Sequence, residues 1–386
     1  MATAVGLSGL YWLVSGVLAV LTRRSLQSLD ELHPKEPAVY PRLSLIIPAC
    51  NEADTVEAAV LSRLADDYPD LEVALVDDRS TDATGAIVDR LAAQDPRVKA
   101  VHVTALPGGW LGKLNAQEVG QRATSGAWLL FSDADVHFAP GTLRRAVAWA
   151  EERQLDHLAV MPRLVAKGFW LCVTLSTVVR TILISIRAWA IEDPKSSAFM
   201  GVGAFNLVRR SAWEKTKGFE WLRLEPIDDM GIGLLMKRSG FRSALVGGQK
   251  LVSVEWYPSV RALAVGSERA SFTLCNCSLI IALAVAFASV VAELGFLAAF
   301  LPGAGPILRV AGGATLLVAL ATTLVVDAWS DIPFAAGLLF PVGAVLQAFA
   351  LVRAGILGAL RGGIVWRGTL YPTALLRAGR RVKLGA

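Results

Sequence analysis

The chain has 386 residues, of which 54% are hydrophobic and only 18% charged, with a formal net charge of +5 and a mean hydropathy of +0.50. A soluble domain carries about 25% charged residues, so this composition excludes a wholly water-soluble protein, and the length exceeds one typical domain. The basic residues Arg23, Arg24, Arg361, Arg367, Arg377, Arg380, Arg381 and Lys383 border apolar segments; retention on the cytoplasmic side of a membrane accounts for them, and nucleic-acid binding does not.

Residues 1–24 read as a membrane anchor: the apolar run Val5 to Leu21 is followed by Arg23-Arg24. A cleaved signal peptide would carry its positive charges before the run, so an uncleaved span with its N-terminus outside is expected. Residues 25–42 form a polar linker with Pro34 and Pro37. Strand and helix patterns then alternate. Leu43 to Ile47 is a continuous apolar strand, Ala53 to Ala65 has helical spacing with Val56, Val60 and Leu64 on one stripe, and Leu71 to Val76 is the next strand. A helix over Ala83 to Leu91, a strand over Val98 to Val103, a helix over Lys113 to Arg122 and a buried strand over Ala127 to Ser132 follow. Such alternation implies an α/β domain with a parallel sheet covered on both faces, whose ligands bind at the carboxyl ends of the strands.

Residues 168–191 are apolar enough for a membrane segment, yet Thr174, Thr177, Arg180, Thr181 and Arg187 fall on one helical face. An interfacial amphipathic helix is the expectation. Three apolar runs follow, at 272–300, 307–326 and 332–352, each able to span a core of about 30 Å. An outside N-terminus and three later crossings would leave the basic tail outside, against the positive-inside rule; either one segment is re-entrant or the count is off by one. The expected organisation is an anchor at 1–24, a linker at 25–42, a cytoplasmic catalytic domain at 43–271 that includes the interfacial helix, transmembrane helices at 272–358 and a basic tail at 359–386. The cysteines, Cys50, Cys172, Cys275 and Cys277, have neither metal-site spacing nor a disulfide framework, in keeping with a reducing compartment.

The polar residues gather at strand ends. Pro48-Ala49-Cys50-Asn51-Glu52 follows the first strand, and Asp77-Asp78-Arg79-Ser80-Thr81-Asp82 ends the second. Adjacent carboxylates at a strand end repel unless a cation or hydrogen-bond donor engages them, and the N–H of a nucleoside base is one such partner. Leu106 to Lys113 is a glycine-rich loop with a lysine at a helix start, where backbone N–H groups and an ammonium suit a diphosphate. Asp133-Ala134-Asp135 ends the last buried strand. Carboxylates two apart on extended chain face opposite ways, but a turn at Ala134 would bring them to a common cation, Mg²⁺ or Mn²⁺, shared with substrate phosphates. A second pair, Asp228-Asp229, begins a helix and could supply the general base that a transfer to a hydroxyl requires.

Together, Pro48-x-x-Asn51-Glu52, Asp77-Asp78-x-Ser80-Thr81-Asp82, Gly112-Lys113-Leu114-Asn115-Ala116, Asp133-x-Asp135 and Asp228-Asp229 resemble the family 2 glycosyltransferases of the GT-A fold. Trp366-Arg367-Gly368-Thr369-Leu370-Tyr371 resembles the membrane branch that acts on lipids, which includes hopanoid-associated, carotenoid and ceramide enzymes. The resemblance implies a Rossmann-like mixed sheet with helices on both faces. It also implies a nucleotide-sugar surface made by Pro48, Ala49, Asn51, Glu52, Asp77, Asp78, Lys113, Asp133, Ala134, Asp135, Gly201 and Arg269. Asp133 and Asp135 would hold the metal, and Asp229, with Asp228, would be the catalytic base of an inverting transfer of one sugar from a UDP- or GDP-sugar to a lipid. The implied setting is the bacterial inner membrane with a cytoplasmic catalytic domain. The Gln/Arg-x-x-Arg-Trp motif of processive synthases and ceramide enzymes is absent; Gly266 to Phe272 stands in its place. A processive polysaccharide synthase and an inactive sugar- or lipid-binding membrane protein are the alternatives. No Gly-x-Gly-x-x-Gly follows the first strand, which argues against a nicotinamide-dependent enzyme.

Overall fold

The computed structural model describes residues 1–383. In chain order its elements are α1 (Ala2–Ser25), β1 (Leu43–Ala49), α2 (Val56–Leu64), β2 (Leu71–Asp78), α3 (Thr84–Gln94), β3 (Val98–Val103), α4 (Gly112–Arg122), β4 (Trp128–Phe131), β5 (Val136–Phe138) and α5 (Thr142–Glu152). Next come β6 (His157–Met161), β7 (Arg163–Leu164), α6 (Phe169–Ser185), β8 (Asn206–Arg209), α7 (Arg210–Trp213), α8 (Gly218–Leu222), α9 (Asp228–Arg238), β9 (Ser243–Gly247) and β10 (Val252–Val254). The last part holds α10 (Val260–Gly266), α11 (Glu268–Leu274), α12 (Leu279–Leu294), α13 (Pro306–Trp329), α14 (Phe334–Leu338), α15 (Phe340–Arg361), β11 (Gly363–Trp366), β12 (Thr369–Pro372) and α16 (Thr373–Gly379). These divide into two compact units. One, helical, is made of residues 1–25, 166–189 and 256–377; the other, α/β, of residues 26–165, 190–255 and the C-terminal tail from 378.

The α/β unit is built on a seven-stranded sheet of order β3-β2-β1-β4-β8-β6-β9. β1, β2, β3 and β4 pair in parallel, as the strand–helix alternation implies. β8 runs antiparallel to both its neighbours, β4 and β6, so the sheet is mixed, as the family resemblance implied and the alternation alone did not. β1 is buried along its whole length: Leu45, Ile46 and Ile47 all lack solvent contact, because both faces of the central strands are covered. The parallel register sets Pro48 beside Val76 and Ala49 beside Asp77, bringing the loops after β1 and β2 to the same sheet edge. A small second sheet, β5-β10-β7, leads away from the end of β4.

The helical unit contains the helices long and apolar enough to cross a membrane: Ala2–Ser25, Phe169–Ala190, Leu279–Phe300, Pro306–Trp329 and Phe340–Arg361. Leu10, Val17, Ile280, Phe287, Leu317 and Phe349 are exposed on its surface, an apolar exposure far beyond what a soluble surface carries. The polar face of α6 is only partly solvated: Thr181 and Arg187 keep some exposure. Thr174, Thr177 and Arg180 are buried, and Arg180 pairs with Glu293 at 2.7 Å while lying 4.5 Å from the centroid of the Trp12 ring. A buried cation is tolerable only with such a partner, and the partner came from an apolar run in which a single glutamate carried little sequence signal.

Candidate active site

The loops after β1 and β2 brace one another. Asn51 takes a left-handed conformation, φ 56°; its N–H donates to Ser80 Oγ (3.0 Å) and its Oδ1 accepts from the Thr81 N–H (2.8 Å). The Glu52 N–H donates to Thr84 Oγ1 at 2.8 Å and the Ala53 N–H to Asp82 Oδ2 at 3.1 Å. Asp77 and Asp78 escape mutual repulsion by facing different partners. Asp78, almost fully buried, pairs with Arg79 (Oδ1 to Nε 2.8 Å). Asp77 accepts the Ser80 N–H (3.2 Å) and lies 3.2 Å from His102 Nδ1, and hydrogen bonds that the His102 ring donates to Asp89 and Asp77 raise the pKa of that histidine. Gly112, the first residue of α4, approaches so closely that a Cβ there would stand 2.5 Å from Asp78 Oδ2.

The chain leaves β4 at Phe131, turns at Ala134-Asp135 and enters β5 at Val136, so both carboxylates belong to one turn instead of opposite strand faces. The turn is anchored from the Asp133 N–H to Gly203 O (2.9 Å) and from Ser132 Oγ to Ala204 O (2.7 Å). Beneath it lies Arg63, with no solvent exposure, which donates through Nε to Val136 O (2.9 Å) and through Nη2 to Asp133 O. Burial lowers the Arg63 pKa to about 10, with Asp135 and Asp133 opposing. Asp135 is pushed up to about 6, by burial first and then by the charges of Asp133 and Glu52.

Lys113, on the first turn of α4, joins the two carboxylate pairs: its Nζ is 2.6 Å from Asp133 Oδ1 and 2.8 Å from Asp228 Oδ2. Gly203 joins them a second time, since its N–H donates to Asp229 Oδ2 (3.1 Å) and its carbonyl accepts from Asp133. Asp229 Oδ1 also accepts from the Met230 N–H at 2.8 Å. Burial, then repulsion from Asp228, raises the Asp229 pKa, and Lys113 opposes the rise. The start of α9 is held from behind by His157, whose Nε2 is 2.6 Å from Asn206 Oδ1, while Asn206 Nδ2 donates to Asp229 O at 3.1 Å. Burial holds the His157 pKa down at about 4, and because an amide oxygen accepts, its Nε2 donates this bond. Gly201 and Gly233 allow the contact: a Cβ on Gly201 would meet the Asp229 carbonyl, and one on Gly233 the Met200 carbonyl.

The sequence-selected residues Asn51, Glu52, Asp77, Asp78, Lys113, Asp133, Ala134, Asp135, Gly201, Asp228 and Asp229 thus all belong to the α/β unit, with Pro48 and Ala49 closing β1. Arg269 belongs to the helical unit, where its guanidinium is 4.2 Å from the centroid of the Trp366 ring. Sequence reading missed Arg63 and His157. Arg63 had a legible signal: it falls on the same stripe as Val56, Val60 and Leu64, an odd place for a cation on a half-buried helix.

Residues 44–216 match the glycosyl transferase family 2. The chain is 36% identical over 119 residues to the succinoglycan biosynthesis protein ExoO of Rhizobium meliloti, covering 30% of this chain and 32% of that one. It is 31% identical over 173 residues to the beta-monoglucosyldiacylglycerol synthase of a Synechocystis species, covering 42% and 36%. The chain therefore spans about a third of the length of these curated relatives. Its fold is that of the mannosyltransferase PcManGT from Pyrobaculum calidifontis, solved with GDP-Man and Mn²⁺: the TM-score is 0.59, with 20% identity, over 90% of this chain and 98% of that one.

Proposed function

We propose that this chain, a member of glycosyl transferase family 2 through residues 44–216, moves one sugar from a nucleoside-diphosphate sugar to the hydroxyl or phosphate of a membrane lipid, with inversion at the anomeric carbon. The observation that carries this reading is the Lys113 bridge between Asp133 and Asp228, which unites a diphosphate-type turn and a candidate base in one cluster. PcManGT binds GDP-Man and Mn²⁺, and one curated relative is named as a glucosyldiacylglycerol synthase; both support the donor and acceptor classes proposed.

The donor set fits a divalent cation. Asp133 and Asp135 offer hard oxygens in one turn, and the raised Asp135 pKa marks negative charge that a cation would stabilise. Among the described residues no three His, Cys, Asp or Glu side chains form a ligand group by themselves. Mg²⁺ and Mn²⁺ commonly complete such a set with substrate phosphates and water. When bound, the metal would supply positive charge opposite the departing diphosphate.

The remaining work falls to side chains. Asp78, at the carboxyl end of β2, accepts hydrogen bonds from the nucleoside base. Lys113, a point charge at a helix start, exchanges carboxylate contacts for the diphosphate oxygens. Asp229 takes the proton from the acceptor hydroxyl as that oxygen attacks the anomeric carbon, and the nucleoside diphosphate departs with the bonding electrons. A raised pKa suits the base, because proton transfer is most efficient when the base is matched to the working pH. The α/β unit lies in the cytoplasm, and the apolar helices of the other unit lie in the bilayer.

The test is direct. Purified protein in lipid nanodiscs is incubated with Mg²⁺ or Mn²⁺ and a panel of nucleotide sugars, with and without a lipid extract, and nucleoside-diphosphate release is measured. Release should require lipid and stop on chelation. Folded protein that releases nothing with any donor would overturn the reading.

A further inference from the structure

Residues 378–383 of the C-terminal tail belong to the α/β unit and lie against the approach to Asp228-Asp229. Glu225, with no solvent exposure, receives three peptide N–H groups: Ile227 on Oε1 (2.9 Å), and Arg381 (2.5 Å) and Val382 (2.9 Å) on Oε2. Arg381 Nε donates to Trp221 O at 2.9 Å, and its guanidinium is 5.1 Å from the centroid of the Trp221 ring. Val382 is buried, and Gly379 packs so tightly on Leu224 that no side chain fits there.

Ile227 is the residue before α9, so one carboxylate ties the tail to the peptide from which both candidate catalytic aspartates hang. We propose that residues 378–383 form a strap and that Glu225 is a positioning residue, which together hold the first turn of α9 so that Asp229 is aimed at the acceptor. This rests on the base role given to Asp229 above. A carboxylate that accepts backbone N–H groups in a buried setting makes strong, directional bonds, and leaving it unpartnered is costly. A small displacement of the base, on the order of 1 Å, lowers turnover by about 10²-fold.

Three variants of the full system test this in nanodiscs: the chain ending at Gly379, Glu225→Gln, and Val382→Pro, which removes one donor N–H and leaves Glu225 intact. With the best donor found for the unmodified protein, kcat should fall by about 10²-fold in the shortened chain, with donor KM little changed. The acidic limb of the pH–rate profile should shift, and a synthetic peptide of residues 378–386 should restore part of the rate. If the shortened chain misfolds by circular dichroism, Val382→Pro decides by the same readouts. Unchanged kcat and pH profile in a folded variant overturn the strap. Failure of the unmodified protein to turn over any donor overturns instead the activity on which it rests.

A second inference comes from the helical unit alone. Gly9 faces Thr315 and Gly16 faces Thr322, the same seven-residue step on both helices, so α1 and α13 run parallel. Gly295 faces Ala4 and Ser8, while Trp12 Nε1 donates to Glu293 O at 3.0 Å; α12 therefore runs opposite to α1. Gly355 faces Ala282, and Gly358 faces Phe272, which puts the end of α15 level with the beginning of α12. Its beginning is elsewhere: Phe340 is fully buried, 5.2 Å from Trp12 and 6.3 Å from Phe296 between ring centroids, in a cluster with Ala319. Trp12 and Ala319 are mid-helix residues of α1 and α13.

The geometry points to α14 and α15 as a re-entrant hairpin that turns at Leu339-Phe340 halfway through the bilayer, so that α15 does not cross as α1, α12 and α13 do. Non-helical backbone at such depth is tolerated where protein covers it, and Phe340 is covered. The hairpin places Arg361 and Arg367 on the same face as Arg23 and Arg24, as the positive-inside rule requires. It also removes the conflict left by three late crossings.

Single cysteines replacing Gly305, between α12 and α13, and Val365, beyond α15, distinguish the two topologies. In sealed, oriented vesicles treated with a membrane-impermeant maleimide and compared with unmodified protein, the two sites should be labelled from opposite faces. Labelling of both from the same face would mean that α15 crosses completely, and would overturn the hairpin.

Discussion

The ammonium of Lys113 stands 2.8 Å from Oδ2 of Asp228, a carboxylate 115 positions further along the chain that is almost wholly buried. With its second contact to Asp133, this one cation bridges two carboxylates from separate motifs. Lys113→Met should lower kcat/KM by about 10²–10³-fold, the scale seen when a preorganised transition-state donor is removed. Lys113→Arg should recover little, because a planar fork does not replace a compact point charge. Steady-state kinetics paired with thermal denaturation separates this loss from misfolding.

Asp229→Asn keeps shape and removes basicity. Turnover should drop by about 10²–10⁴-fold while donor affinity, measured by calorimetry with the nucleoside diphosphate, stays near its original value. A variant with unmodified turnover would remove Asp229 from the mechanism.

The pH profile follows from the same residue. Burial and Asp228 raise the Asp229 pKa above the ordinary aspartate value of about 3.9. A base must be ionised to act, so kcat/KM should rise with pH through that elevated value. Asp228→Asn removes the repulsion, and the acidic limb should move to lower pH in whatever activity remains.

Acid stability should depend on Glu72. Burial alone would raise its pKa, but Lys99 (2.8 Å), the Ser125 N–H (2.7 Å) and Ser44 (2.8 Å) prevail and hold it at about 2. The folded-state pKa is depressed, so the contribution is fully present above the unfolded value of about 4.3. It is lost as pH falls toward 2. Glu72→Gln should lower the melting temperature at pH 7 and differ much less from the unmodified protein near pH 2.

Gly201→Ala should destabilise the α/β unit by about 1–3 kcal/mol, as overpacking does, since its Cβ meets the Asp229 carbonyl. Activity should fall further than stability explains. Gly108→Ala is the control: nothing lies within 4 Å of a Cβ there. Equal melting temperatures for the two variants would contradict the packing described.

The sequence by itself determined the α/β alternation, the apolar helices and the carboxylates at the strand ends, because periodicity and local residue type carry those features. Asp133, Asp135, Lys113 and Asp229 were legible for that reason. Only the tertiary structure decided what each charge faces. It set Asp77 against His102 and Asp78 against Arg79, buried Arg63 under the Asp133 turn, and reversed β8 within the sheet. It also supplied Glu293 to Arg180 and the tail's N–H groups to Glu225. Each of these pairings joins residues far apart in the chain or turns on side-chain direction, and a buried charge is stable only where the fold brings it a partner. Local pattern records the charge; the fold alone records the partner.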